Sequence, residues 1–412
     1  MKKNYWILAA AAVAFAACSN DDTIAVNQGI EEANTISFRT IVEGQTRAAD
    51  IKYADLTSFK AYAIVNSTQN VYFAEDVFEK SEGTFNSVNK HYWPSSGALD
   101  FYAYAPATSS QYTHSTTNTL GFVVTPSTTI SEQVDLVVAN TNNKAKAGAY
   151  TPTGGSESTY GNAGVPLNFR HAESKVVVRF KNGQSNMKID VQAFKIVNVD
   201  GSATYTYTAT DNISTDVKNS ATLTNQWTDN TTYTESYTGT PTTANQLAPS
   251  TTTAVYLQND GTATDSENEG LSMILIPQTT TAVRAYTGTT AGSALEANKS
   301  YIAVKMIIRN NDALDDGTGS GTPNTNGTII ANCTGDGNWA IWPVAFTWDP
   351  GKKYIYTIDL GDGGYWEQEK VAGDTYLDPV LDGAVIKFVD VTVDDWTNGG
   401  ETVIPAPVNS AP

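Results

Sequence analysis

The chain has 412 residues, of which 40% are hydrophobic and only 17% are charged, and its formal net charge is −18. An acidic surface of this kind repels phosphate backbones, which argues against nucleic acid as a partner. The length favours two domains of ordinary size over one. Thr, Ser, Asn, Gly and Tyr are abundant, as is typical of extracellular β proteins, so we expect an all-β fold without long helices.

The N-terminus has the pattern of a secretory signal. Lys2 and Lys3 form a positive n-region, and an apolar run follows from Trp6 to Ala17. This run is shorter than the roughly 20 residues that a helix needs to cross a bilayer, so a permanent transmembrane anchor is disfavoured. Phe15-Ala16-Ala17-Cys18 is similar to a bacterial lipobox, which predicts lipidation (palmitate) of Cys18. The alternative is an ordinary signal peptide followed by a chance cysteine.

The chain contains only two cysteines, Cys18 and Cys333. A lipid on Cys18 leaves no intramolecular disulfide, so the stability must come from packing. No base motif surrounds Cys333, which predicts a buried, inert thiol. Ser19-Asn20-Asp21-Asp22 resembles the tag that exports some Gram-negative lipoproteins to the outer face of the outer membrane, so we expect an outer-membrane lipoprotein precursor.

The first regular element is predicted just after a tether at residues 19–34. At residues 35–42, Ile36 and Phe38 occupy alternate positions, which predicts a half-buried strand. The polar stretch 43–50 that follows predicts an exposed loop.

This loop is the predicted processing site. Its small residues make the backbone accessible to a protease. A trypsin-like protease would cut there between Arg47 and Ala48. Arg39 is a weaker second site, because a folded strand resists proteolysis better than a loop does.

Further strands are predicted where β-forming residues are bounded by Pro, Gly, Ser or Asn. These segments are 57–65, 100–105, 121–125, 133–139, 175–180, 193–199, 271–276 (at a sheet edge), 301–308 and 354–360. Residues 142–164 are rich in Gly, Ser, Thr and Asn, which predicts a linker and a domain boundary at Gly164. Residues 204–210 are predicted to form an exposed strand, and the rest of 200–264 a long loop.

A type II turn is predicted at Asp349-Pro350-Gly351-Lys352, because Pro presets the first turn position and Gly supplies the positive φ of the second. The turn is expected to join residues 344–346 to the strand at 354–360. One face of that strand carries Tyr354, Tyr356, Ile358 and Leu360.

Several short segments follow one another in a fixed order along nearly the whole chain. They are Ile36-Ser37-Phe38, Thr46-Arg47-Ala48, Tyr92-Trp93-Pro94, residues 99–106, Phe169-Arg170-His171-Ala172, Ile274-Leu275-Ile276-Pro277-Gln278 and residues 346–356. Together they resemble the fimbrillin family of type V pilins, in its Mfa-like branch. The resemblance implies two tandem transthyretin-like β-sandwich domains, export as an outer-membrane lipoprotein, cleavage after an arginine, and no cofactor.

The resemblance also implies how the protein assembles. In that family, cleavage releases the first strand and opens a hydrophobic groove, which a C-terminal strand of the next subunit fills. The removable strand here carries Ile36 and Phe38, and the donor strand carries Val389, Val391 and Val393. The implied partners are other pilin subunits, a trypsin-like protease and, before cleavage, the outer membrane. The alternative for the donor is a resident strand of its own sandwich.

The sequence therefore divides into five predicted parts. They are a signal peptide (1–17), a tether with the removable strand (18–47), an N-terminal sandwich (48–164), a C-terminal sandwich (165–384) and a donor strand with tail (385–412).

The polar motifs do not predict an enzyme or a metal site. The three histidines show no metal-ligand spacing. Ser185-Asn186-Met187-Lys188 fits Ser-x-x-Lys but lacks its companion motifs. A calcium-like loop begins at Asp265, yet Ile276 stands where a bidentate Glu is needed. Asp394 and Asp395 are neighbours in a strand and point to opposite faces, so they cannot share a site.

Aromatic residues give the rival hypothesis. Five of them cluster within thirty residues: Trp339, Trp342, Trp348, Tyr365 and Trp366. Exposed rings would suit a surface lipoprotein that binds host or bacterial glycans, whereas core packing explains the cluster as simply. We therefore expect a shaft or tip subunit of a pilus with a role in adhesion. The alternative is a glycan-binding outer-membrane lipoprotein, which a solvent-facing row of Trp side chains would favour.

Overall fold

A computed structural model of the chain describes residues 35–42, 56–81, 84–114, 120–144, 164–207, 226–229, 232–265, 269–283, 298–311, 327–335, 338–371, 374–381 and 390–395. These residues form β-strands and three short 3-10 helices, at Ile130–Glu132, Glu269–Leu271 and Leu360–Asp362. The predicted all-β fold is confirmed. No helix in these ranges is long and apolar enough to cross a membrane.

The first sheet has seven strands and closes on itself as a barrel. Its strands are β1 (Ser37–Val42), β2 (Ser58–Val65), β3 (Val71–Ser81), β4 (Thr84–Ser87), β5 (Leu99–Ala105), β8 (Val137–Lys144) and β9 (Val165–His171). Their order around the barrel is β1-β4-β3-β2-β5-β8-β9. All neighbours are antiparallel except β1 and β9, which run parallel.

Alternation within the strands fills the barrel. In β2, Phe59, Ala61 and Ala63 point inward, while Lys60 and Tyr62 point to the outer face. Large rings alternate with alanines across the interior, so that the rings have room to interdigitate. The fully buried rings are Phe38, Phe59, Phe78, Phe85, Phe101 and Phe169.

A four-stranded sheet covers one outer wall of the barrel. It consists of β6 (Tyr112–His114), β7 (Gly121–Val124), β12 (Ala203–Thr206) and β13 (Trp227–Asp229), in the order β13-β12-β7-β6. Tyrosines from the sheet and from the barrel's outer face share one cluster. The prediction of an exposed strand at 204–210 is wrong for β12, because Ala203 and Tyr205 are fully buried against this cluster.

The second unit is a sandwich of two sheets. The smaller sheet contains β10 (Ser174–Asn182), β16 (Thr251–Val255), β17 (Met273–Leu275), β21 (Lys352–Asp359) and β24 (Asp390–Asp395). The larger sheet contains β11 (Met187–Val199), β14 (Glu235–Gly239), β15 (Asn245–Leu247), β18 (Tyr301–Asn310), β19 (Ile329–Cys333), β20 (Ala340–Pro343), β22 (Tyr365–Val371) and β23 (Asp374–Pro379). Their facing apolar side chains form the largest core cluster.

Some sequence expectations differ from this arrangement. The long loop predicted within 200–264 instead contains β13, β14, β15 and β16, whose Thr-rich segments are short edge strands. The strand predicted at 133–139 begins only at Val137, since residues 133–136 follow the 3-10 helix without pairing as a strand. Gly351 has the predicted positive φ of 67°, but residues 344–346 do not pair with β21. Thr347 instead bridges Thr279.

The chain passes from the barrel to the second unit at Ala172-Glu173. β9 pairs with β8 and β1, so it completes the barrel, and β10 pairs in another sheet. The boundary expected at Gly164 therefore stands one strand before this passage, and the domain limits stay a prediction.

Candidate assembly site

β1 is the strand that closes the barrel. On one side it pairs antiparallel with β4, through Ser37 opposite Asn86 and Phe38 opposite Phe85. On the other side it pairs parallel with β9 over five positions, from Phe38 opposite Val165 onward. Among the described strands none lies between β4 and β9 except β1. Removal of β1 would therefore expose two facing strand edges.

The Phe38 side chain occupies a pocket of aromatic rings. Its centroid lies 4.8 Å from that of Phe78, 5.2 Å from Phe101 and 5.8 Å from Phe59, each in an edge-to-face arrangement. Ile36 is buried beside this cluster. Full burial of such a side chain contributes about 1.5–3 kcal/mol, and each favourable ring pair adds about 0.5–1.5 kcal/mol.

The start of β1 is held by a polar clamp that consists of His91 and Asp76. The Ile36 amide donates to the His91 carbonyl at 2.7 Å. The His91 ring stacks on Phe73 at 4.3 Å and hydrogen-bonds to the Asp76 carboxylate through Nε2. Burial raises the pKa of Asp76, but hydrogen bonds from Ser87, His91 and Asn89 outweigh it and hold the pKa below its usual value.

β24, which carries two of the predicted donor residues, lies at the edge of the smaller sheet. It pairs antiparallel with β21, and Val391 and Val393 stand opposite Tyr356 and Tyr354. Opposed side chains of an antiparallel pair share a face, and the two tyrosines are buried in the core. The valines nevertheless remain 45% and 52% exposed, so the strand is held by its backbone while its apolar face is uncovered.

The other predicted site residues are Cys18, Arg47, Ala48 and Val389, which lie outside the described residues. Within the described part, the structure therefore places Ile36 and Phe38 in the barrel core and Val391 and Val393 on an uncovered edge of the second unit.

Sequence comparison identifies the family. The profile of the fimbrillin-like family matches residues 46–396. The chain belongs to the fimbrillin-like family. Fimbrillins are structural subunits of fimbriae, so this fimbrillin-like chain is a fimbrial subunit of the cell surface. No curated protein sequence matches it.

The chain is also similar to solved structures from Bacteroides and Porphyromonas. A fimbrial protein from Bacteroides vulgatus is 14% identical, with a TM-score of 0.46 over 88% of this chain and 100% of that one. A fimbrillin from Porphyromonas gingivalis is 12% identical, with a TM-score of 0.37 over 88% of this chain and 97% of the other. The C-terminally truncated tip fimbrial protein Mfa3 from the same organism is 12% identical, with a TM-score of 0.32 over 87% and 100%.

The aromatic cluster of the rival hypothesis does not form a solvent-facing row in this fimbrillin-like chain. Trp342 and Trp348 are buried in the core of the second unit, and the Trp348 indole donates to the Tyr356 hydroxyl at 2.8 Å. Trp339 is half-buried, with the Lys195 ammonium 4.7 Å from its ring centroid. Core packing therefore accounts for the innermost rings.

Two further reactive side chains, those of His171 and Cys333, are buried in the fold. His171 Nδ1 lies 2.8 Å from Asp135 Oδ2 in a buried pair. Cys333 is buried, and this burial raises the pKa of its thiol to about 11, which keeps it protonated at neutral pH. Among the described residues, no three His, Cys, Asp or Glu side chains are grouped to hold a metal ion.

Sequence reasoning predicted the strand at 35–42 but missed the ring-lined pocket that this strand closes. The signal available was a phenylalanine in β2, β3, β4, β5 and β9, each at an inward position of its strand. Alternation identifies such positions one strand at a time, but the meeting of five strands around Phe38 depends on pairings distant in sequence.

Proposed function

We propose that this protein is a shaft or tip subunit of a cell-surface fimbrium with a role in adhesion, assembled by donor-strand exchange. It is exported as a lipoprotein on Cys18, and a trypsin-like protease cuts between Arg47 and Ala48. The observation that carries the proposal is the position of β1, which closes the barrel between β4 and β9 with Phe38 in a phenylalanine pocket.

Loss of β1 would create the conditions for strand addition. The edges of β4 and β9 would present unpaired backbone donors and acceptors beside exposed rings, and an added strand restores both kinds of contact. A donor that buries four or five apolar side chains at about 1.5–3 kcal/mol each gains on the order of 10 kcal/mol before entropic losses.

The C-terminal segment has two features of a donor. Val391 and Val393 are uncovered, so leaving β21 forfeits little side-chain burial. In sequence, Ile386-Lys387-Phe388 repeats the Ile-x-Phe pattern of Ile36-Ser37-Phe38, although it lies outside the described residues. Successive residues of a strand point to opposite faces, so the register decides whether the valines or Phe388 enter the pocket.

Two variants test the assembly from its two ends. Deletion of residues 385–412 should leave a folded acceptor that cannot donate, and Arg47→Ala should leave a donor whose groove stays occupied. Each variant is mixed with protease-treated wild-type protein, and detergent-resistant ladders are resolved on a gel. Ladders of normal length from the deletion variant alone would refute donor-strand exchange. Loss of its folded circular-dichroism signal would instead assign the segment to its own unit's core.

Lipidation has a separate test. Cys18→Ala should abolish incorporation of labelled fatty acid and retention in the membrane fraction, because the thiol is the site of attachment. Cys333→Ala is the matched control and should label normally. Unchanged labelling of the Cys18 variant would contradict the lipoprotein assignment.

A further inference from the structure

A cleft with a volume of about 650 Å³ lies on the outside of the barrel, beneath the hairpin of β6 and β7. Its floor is aromatic and is formed by Tyr104, Tyr112 and Phe122. Its rim carries Lys60, Glu75 and a hydroxyl-rich loop at residues 108–110. A volume of this size falls within the range of about 300–1,000 Å³ that small-molecule sites occupy.

Glu75 holds an unusual backbone conformation at this rim. Its φ is 51°, in the left-handed region that favours glycine, and the residue lies inside β3 rather than in a turn. The register of β2 and β3 shifts at this point, since Asp76 pairs with Ala61 and Phe73 pairs with Ala63. A bulge re-aims a side chain, and strained non-glycine residues cluster at binding sites. Here the bulge directs a carboxylate to the cleft.

The polar groups at the rim retain capacity for a ligand. The Tyr104 hydroxyl donates to Glu75 Oε1 at 3.0 Å, and Lys60 Nζ lies 3.8 Å from Glu75 Oε2, too far for a direct hydrogen bond. The two charged side chains are 24% and 39% exposed. The Tyr62 hydroxyl also interacts with the Glu75 carboxylate. A carboxylate offers about four lone-pair sites and an ammonium three donors, so a ligand would share these two groups with Tyr62 and Tyr104. Burial and the Glu75 charge raise the pKa of Tyr104, which keeps its hydroxyl a proton donor.

We propose that this cleft binds a neutral saccharide. The opposite charges of Lys60 and Glu75 cancel, so the rim has no net charge to select an anion. A sugar hydroxyl can donate to the carboxylate and accept from the ammonium, which a purely apolar or purely anionic ligand cannot do. The exposed margins of the Tyr104 and Tyr112 rings, which are 5% and 9% exposed, supply apolar contact for the carbon face of a sugar ring.

The cleft stands apart from the strand that is exchanged. β3, β2 and β5 carry Glu75, Lys60 and Tyr104 and are adjacent in the barrel, separated from β1 by β4 on one side and by β8 and β9 on the other. Replacement of β1 therefore leaves the cleft in place. Every subunit of a fimbrium would present one such site, and many weak sites on one fibre would act together. The inference goes beyond the proposed assembly role and can fail without it.

The test uses the chain without its predicted signal peptide, residues 18–412, and a fixed panel of sugars. The panel contains β-galactosides, mannosides, N-acetylglucosamine oligomers and a sialylated trisaccharide, examined by saturation-transfer NMR and titration. We expect at least one neutral oligosaccharide to bind, and Glu75→Gln and Lys60→Met each to weaken it about tenfold or more. Trp339→Ala, on the second unit, is the control and should bind normally.

A further variant separates binding from folding. Glu75→Gly removes the carboxylate and relieves the positive φ, so its melting temperature should equal or exceed that of the wild type while saccharide binding is lost. The proposal is overturned if no neutral oligosaccharide binds, if only the sialylated sugar binds, if Glu75→Gln binds normally, or if Trp339→Ala abolishes binding. A lower melting temperature of Glu75→Gly with unchanged binding would assign the carboxylate to the fold alone.

Discussion

At the scale of single residues, Phe38 anchors β1 in the barrel core. Its ring meets three others edge to face and is fully buried. In the uncleaved precursor, Phe38→Ala should lower the free energy of unfolding by about 3–5 kcal/mol, because a cavity replaces the ring. Chemical denaturation measures the loss. Val123→Ala, at an exposed position of β7, should change stability by no more than about 0.5 kcal/mol.

The same substitution distinguishes precursor from mature subunit. After cleavage at Arg47 and release of β1, the Phe38 variant and the wild type are the same polypeptide, so their stability and polymerisation should be equal. A defect that persists in the cleaved protein would show that β1 is not released.

Asp76 gives the clamp on β1 a pH dependence. Its pKa in the folded state is lowered from the ordinary value of 3.8, so its stabilising effect is present above that value and is lost as pH falls toward the folded-state pKa. Asp76→Asn should therefore be less stable than the wild type at pH 7, and the difference should narrow below pH 3.8. Denaturation at pH 7 and pH 3 measures both differences. A stability difference between Asp76→Asn and the wild type that is equally large at pH 7 and at pH 3 would exclude this role of the carboxylate.

At the scale of elements, β24 combines a paired backbone with uncovered valines. Val391→Thr with Val393→Thr should change monomer stability by less than about 1 kcal/mol per site, since both side chains are half-exposed already. If these valines enter a neighbour's groove, the double variant should shorten the ladders. Val176→Thr with Val178→Thr, buried in β10 of the same sheet, is the control that should unfold the unit.

Phe388→Ala tests the opposite face of the same segment. If Phe388 occupies the Phe38 pocket, this variant should shorten the ladders and the valine variant should not, because one register cannot bury both faces. Normal ladders from both variants would exclude this segment as the donor.

At the scale of the whole molecule, the barrel and the second unit share a hydrogen-bonded joint. The Trp227 indole donates to the Ala172 carbonyl at 2.8 Å, the Gly351 amide to the Glu173 carbonyl at 2.8 Å, and the Ser174 hydroxyl to the Asp349 carbonyl at 2.8 Å. Three elements thus meet where the chain passes from one unit to the other. We expect the two units to unfold in one cooperative calorimetric transition.

Gly351 allows this coupling to be tested. Its φ is 67°, and an added Cβ would lie 3.3 Å from the His171 carbonyl oxygen across the joint. Gly351→Ala should destabilise the protein by about 1 kcal/mol or more and shift the whole transition. Gly97→Ala also places a side chain at a positive φ, of 88°, but has no neighbour within 4 Å, so comparison of the two variants separates the contribution of the contact from that of the backbone strain. A second transition in the Gly351 variant would show that the units unfold independently.

Local patterns in the sequence predicted the strand at 354–360. In β21, Tyr354, Tyr356 and Ile358 alternate and are buried in the core, although Ile355 and Thr357 on the other face are buried too. Gly351 adopts the positive φ that its turn position requires. The strand at 35–42 was predicted in the same way, from Ile36 and Phe38. These features depend on neighbours within a few residues, which a single sequence contains.

Features that depend on distant partners were not predicted. The exposed-strand prediction failed at Tyr205 because the surface that buries it comes from the outside of the barrel. The pairing of β9 with β1 joins residues more than a hundred positions apart, and strand propensity carries no information about such a partner. The bulge at Glu75 was not predicted either, because no glycine marks its position in the sequence.

The pairing of β1 sets the direction of any donor that reproduces it. Such a donor would run parallel to β9 and antiparallel to β4, as β1 does, so each subunit would meet the next in a single orientation. In that assembly the donating segment and the receiving groove would belong to different surfaces, which would make the contact heterologous and open-ended rather than closed. One end of the fibre would carry an empty groove and the other an unused donor. Growth and termination are therefore chemically different events, and a subunit without a donor segment would occupy only one of the two ends.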